Sequence, residues 1–141
     1  MFAYFAPGDR KFRIGSIEEV IPLPQKAIRI SPRDPYIGYF YNMIAFVDLL
    51  QSRTDEAIVW TEGARNANPA RPHLHAILVS AYALKGDVAR AGSELAEARS
   101  LNAAYSCIAR NRATFTCVPK ICALREATVY TGLRRAGMPE E

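Results

Sequence analysis

The stretch Pro72-His-Leu-His-Ala-Ile-Leu-Val-Ser-Ala-Tyr-Ala-Leu-Lys-Gly86-Asp87-Val-Ala-Arg-Ala91 decides the fold. Leu74, Leu78, Ala81 and Tyr82 recur at 3–4 spacing, so they lie on one stripe of a helix. Gly86 suits the left-handed residue that closes such a helix. Asp87 follows at once and can cap the next helix through its carboxylate. Beyond it, Ala91 and Ala98 are small enough to let the second helix lie close against the first, with Leu95 between them. The reading is a helical hairpin over residues 72–105.

The same order appears upstream. Gly38, Tyr41, Ile44 and Ala45 are followed by Ala57, Ala64 and Pro69, with Ser52 in the place of the turn glycine, which predicts a second hairpin over 38–71. Ser52 and Asp55 resemble a capping box. Asp48 and Thr61 stand where bulkier side chains would serve better, and Trp60 is expected to fill the volume that Thr61 leaves. Residues 15–37 read as a partial unit. Ser16 and Glu19 form an S-x-x-E box opening a helix that carries Val20, Ala27 and Ile30. Pro22 fits its start, whereas Pro24 is expected to remove a backbone bond and kink it. Residues 1–14, broken by Pro7-Gly8-Asp9, are expected to be irregular. The closing alanines Ala27, Ala64 and Ala98 are 37 and 34 residues apart, with Arg33-Asp34-Pro35 accounting for the longer step.

Residues 106–141 change pattern. A helix is expected over 104–116. A second starts with Pro119 at its first position and carries Ile121, Leu124, Ala127 and Thr128 toward Leu133. Gly137 and Pro139 end it, and Arg134 and Arg135 complement its negative end. This pair is expected to cap the end of the helical array.

The runs Ala27-Ile-Arg-Ile-Ser-Pro-Arg-Asp-Pro-Tyr-Ile-Gly38, Ser52-Arg-Thr-Asp-Glu-Ala-Ile-Val-Trp60, Ala64-Arg-Asn-Ala-Asn-Pro69 and Ser80-Ala-Tyr-Ala-Leu-Lys-Gly86 resemble tetratricopeptide repeats, whose units are about 34 residues long. The resemblance implies an all-α fold, an α-solenoid of stacked helix–turn–helix units with a C-terminal capping helix pair. It also implies binding of a protein or peptide on the concave face, without catalysis. More narrowly, the runs are similar to the C-terminal repeat array of bacterial adenylate/guanylate cyclase-type proteins, and the ending Gly132-Leu-Arg-Arg-Ala-Gly-Met-Pro-Glu-Glu141 looks like the end of that array. The metal-binding aspartates of the domain that precedes the array in those proteins have no counterpart here, so no cyclase activity is carried over. The alternatives are a regulatory arm acting with a separate catalytic protein and a self-associating structural module.

In such a unit the first helix lines the concave face. The expected groove residues are Tyr39, Asn42, Met43, Phe46 and Leu50 from one hairpin, and His73, Ala76, Ile77 and Ser80 from the next. This surface is aromatic and apolar with a few polar groups, as suits an amphipathic helix or an extended peptide. The competing expectation is that it packs against the N-terminal segment or a second copy. No groove-facing Lys or Arg is expected beside Asn42, which argues against capture of a partner's terminal carboxylate. His75 is expected to be packed rather than to bind.

Composition narrows the classes further. The chain has 141 residues and a formal net charge of +4, with its basic residues scattered, unlike a nucleic-acid binder. No apolar run approaches the length of a membrane span. Glycine-rich phosphate loops and nucleophile elbows are missing from the sequence. His73 and His75 point apart on a helix, so neither a metal nor a cofactor is expected. Cys107, Cys117 and Cys122 form no disulfide framework; reduced thiols in a cytoplasmic protein are the expectation.

Overall fold

A computed structural model describes residues 10–13 and 15–141. Among these residues the protein is all-helical, with no strand. Residues 10–13 form a helical turn, and the rest of the segment expected to be irregular lies outside the described residues. A 3-10 turn, Ile17–Glu19, leads into α1 (Pro22–Ile30). The core of the molecule is four helices of equal length: α2 (Ile37–Leu50), α3 (Thr54–Ala67), α4 (Pro72–Lys85) and α5 (Val88–Leu101). After a 3-10 turn at Ala103–Tyr105 come α6 (Ile108–Ala113), α7 (Pro119–Arg125) and α8 (Thr131–Arg135). Helices α7 and α8 are joined by a π-helical turn, Glu126–Tyr130, so residues 119–135 run as one rod.

Helix α2 packs on α3, α3 on α4 and α4 on α5, while α1 lies against α2. Small residues make these approaches close. Ala27, Ala57, Ala64, Ala91 and Ala98 are each 1% exposed or less, so no side chain holds the axes apart at those points. The two hairpin turns use one solution. Gly86 sits at φ +89°, with its N–H on Ala83 O and the next N–H, of Asp87, on Tyr82 O. Ser52 sits at φ +63°, with the same pair of bonds to Leu49 O and Asp48 O. Both close the helix with the paired bonds of a left-handed C-terminal residue. Asp87 caps α5 by accepting from Arg90 N at 3.2 Å.

Several local expectations need correction. Ser16 makes no side-chain cap bond, and the helix starts at Pro22 rather than at the S-x-x-E box. Pro24 does not kink α1, because it falls in the first turn, where backbone N–H groups have no helical partner to lose. Ser52 is not a cap either; Arg53 holds the N-cap position of α3, with no side-chain cap bond. Thr61 fills its own site, fully buried, by donating its hydroxyl to Ala57 O at 2.6 Å. Trp60 instead lies against Tyr41, ring centroids 5.5 Å apart. Asp48 is buried and held by Arg53, Nη2 to Oδ1 2.6 Å; burial nevertheless pushes its carboxyl above the usual range.

The C-terminal rod departs most from expectation. It packs along α4, and Thr128, Val129, Gly132 and Leu133 are buried there. Gly137, at φ +96°, ends it with the same bond pair as the hairpin turns. The chain then passes α6, whose free N–H groups at Ile108 and Ala109 donate to Pro139 O and Glu140 O at 2.8 and 2.9 Å. Cys117 and Cys122 are joined by a disulfide across the start of the rod, Cα–Cα 5.7 Å, which overturns the expectation of three reduced thiols. Cys107 is free and buried. No helix among the described residues is long and apolar enough to cross a membrane.

Candidate functional site

The predicted groove residues divide into two groups. Leu50, Ile77 and Ser80 are not on an open face: they are 1%, 2% and 0% exposed, and Ala76 is buried with them. The C-terminal rod covers the α4 members. Ser80 donates its hydroxyl to Val129 O at 2.9 Å. At Gly132 a β-carbon would stand 2.5 Å from Ser80 Cα and 2.6 Å from its carbonyl oxygen, so only glycine permits this approach. Leu50, at the end of α2, belongs to the main buried cluster with Ile17 and Val20.

The other five come together. Tyr39, Asn42, Met43 and Phe46 from α2 and His73 from the first turn of α4 surround one cavity of about 300 Å³. Its remaining wall is built by residues the sequence reading did not select, chiefly Phe12, Arg71, Phe115 and Arg125. Aromatic rings set its shape. His73 is wedged between Phe46 and Phe115, at centroid distances of 5.3 and 6.1 Å, and Phe12 leans on Phe46 at 5.4 Å. The Arg71 guanidinium lies 4.1 Å over the Tyr39 ring.

Arg125 is 4% exposed, at the end of α7. Its guanidinium sits 3.8 Å over the Phe115 ring and donates from Nη2 to the Tyr130 hydroxyl at 2.9 Å. The π-helical turn brings that pair, five residues apart, onto one face. Among the described residues Nε of Arg125 has no partner, and neither has the buried Oδ1 of Asn42. No carboxylate among the described residues pairs with Arg125. The neighbouring Glu126 is held by Arg112, at 2.9 and 2.5 Å, and by Arg134. Burial lowers the proton affinity of Arg125, opposed by Tyr130, Tyr105 and Glu126. Burial, then the positive charges of Arg125 and Arg71, hold His73 down to about 4, so its ring is neutral near pH 7.

Arg71 and Arg125 correct the expectation that no arginine faces the groove. Arg125 carried a readable signal. With Ile121, Val129 and Leu133 it forms a stripe at helical spacing, and a charged residue on a buried stripe marks a polar site. Arg71 precedes α4, outside the helical offsets used to choose groove residues, and Phe115 lies between α6 and α7, where periodicity gives no information.

His75 sits apart from this site. Its Nδ1 is 2.6 Å from Glu94 Oε2, while Glu94 Oε1 accepts from Arg65 at 2.6 Å. The three side chains tie α3, α4 and α5 together. Among the described residues no group of three or more His, Cys, Asp or Glu side chains could hold a metal ion. Comparison with protein-family models, with curated proteins and with solved structures gives no match for this chain.

Proposed function

We propose that this protein is a scaffold of stacked tetratricopeptide-type hairpins that works by binding and not by catalysis. Recognition takes place at the end of the concave face left open beside α2. One observation carries this reading. Five side chains from two hairpins, Tyr39, Asn42, Met43, Phe46 and His73, converge on a single cavity of the size and apolar character of a ligand site. With the face of α4 occupied by the protein's own C-terminal rod, the space that remains suits a compact group, such as one apolar side chain of a short segment in a partner protein, rather than a whole helix.

A photo-crosslinking residue placed at Met43 tests it. The expected result is a discrete crosslinked product from cells that is lost in Phe46→Ala while circular dichroism is unchanged. A product that persists in Phe46→Ala, or that vanishes only together with the helical signal, speaks against the site. A product that is the protein's own dimer assigns the opening to self-association instead.

A further inference from the structure

We infer that the cavity between α2 and the C-terminal rod is a binding site for a small aromatic carboxylate carrying a ring hydroxyl or N–H donor. The inference rests on reading this opening as the recognition site, and it adds that a free small molecule competes there with any partner side chain.

The argument starts from charge. An unpaired buried guanidinium costs several kcal/mol in solvation. Here the rings of Phe115, Tyr130 and Phe46, at 3.8, 5.3 and 6.0 Å, and one tyrosine hydroxyl offset part of that cost without neutralising the charge. The Nε proton of Arg125 has no acceptor among the described residues, although a guanidinium is built to grip a carboxylate with two parallel bonds. The described residues supply no such carboxylate to Arg125 or to Arg71, which lines the same cavity. His73, being neutral, neither competes for an anion nor repels one. The two arginines therefore favour a single negative charge in a mostly apolar site.

The walls specify what carries that charge. Phe46, His73 and Phe115 are packed side by side along the cavity, and such an aromatic wall receives a flat ring by offset or edge contact. Asn42 lines the same cavity, and its buried Oδ1 is an acceptor with no partner among the described residues. A buried acceptor gains from a ligand O–H or N–H, because otherwise it loses its water without replacement. Ring, carboxylate and donor together define the class.

Calorimetric titration with 4-hydroxybenzoate tests this, beside the neutral 4-hydroxybenzamide and 4-cresol and beside inorganic phosphate. The expected result is one saturable site for 4-hydroxybenzoate, binding about tenfold or more tighter than the neutral ring compounds, as a charge-assisted bond predicts. Arg125→Met keeps the volume and is expected to erase that preference. If Arg125→Met does not fold, Arg71→Gln on the outer wall is expected to lower the affinity severalfold. Equal binding of 4-cresol and 4-hydroxybenzoate overturns the inference but leaves the opening as a recognition site. Absence of binding by every ring compound overturns the inference, while the crosslink at Met43 decides separately the reading on which it rests. Phosphate binding as tight as 4-hydroxybenzoate overturns the aromatic assignment, and a preference that survives in a folded Arg125→Met removes the role given to that arginine.

Discussion

Helices α2 and α4 are the first helices of successive hairpins, yet a cavity opens beside α2 while the C-terminal rod covers the matching face of α4. The side chains explain the difference. Tyr39, Asn42, Met43 and Phe46 of α2 correspond to His73, Ala76, Ile77 and Ser80 of α4. On α4 the small Ala76 and Ser80 leave a trough, and the rod lays Gly132 into it, against the Ser80 backbone. On α2 the Phe46 ring stands in the corresponding place, and a cavity is lined by that ring and by Arg125 of the rod. Two similar hairpins thus give a docking seam where the residues are small and a cavity where they are large.

The seam is the easiest part of this contrast to break. Gly132→Val places two methyl groups where even a β-carbon meets backbone, and the expected loss is about 3 kcal/mol or more. A thermal melt should show the midpoint falling by on the order of 10 °C; an unchanged midpoint would mean that the rod does not dock through Gly132.

A smaller effect separates His73 from its counterpart Tyr39. The His73 pKa of about 4 lies below its ordinary 6.5. The unfolded chain therefore takes up the proton first as pH falls. The stability due to neutral His73 is fully present above pH 6.5 and is lost as pH falls through about 4, by about 1–3 kcal/mol after allowing for partial solvent contact. Melts from pH 7 to 4 should show this loss, and His73→Phe should flatten it. An identical pH slope in His73→Phe would assign the loss to other groups.

The hairpin turns offer the finest comparison. Ser52 and Gly86 share a left-handed backbone, which costs a non-glycine residue roughly 1 kcal/mol. Ser52→Gly should raise stability by about that amount and Gly86→Ala should lower it similarly. Denaturant titration would reveal both; equal and negligible changes would show that the two turns carry no conformational strain.

The alanines and turns were legible before any coordinates. Ala57, Ala64, Ala91 and Ala98 are buried as their spacing requires, and Ser52 stands in for Gly86 as the alignment of the hairpins requires. Pro24 misled because its effect depends on where the first turn begins, and that boundary is set by packing. The site was half legible. Periodicity placed Tyr39, Asn42, Met43, Phe46 and His73 on one face, but it could not tell that Leu50, Ile77 and Ser80 would be covered, or that Arg71, Phe115 and Arg125 would supply the opposite wall.

By itself the chain determined its helices, its turns and the sides on which they pair. These depend on residues three or four apart and on single backbone angles, so they are written locally. Only the tertiary structure decided which helix face the C-terminal rod covers. That packing brings together residues far apart in the chain, Ser80 and Val129 being 49 residues apart, and it depends on the fit of Gly132 to a trough that no local periodicity records.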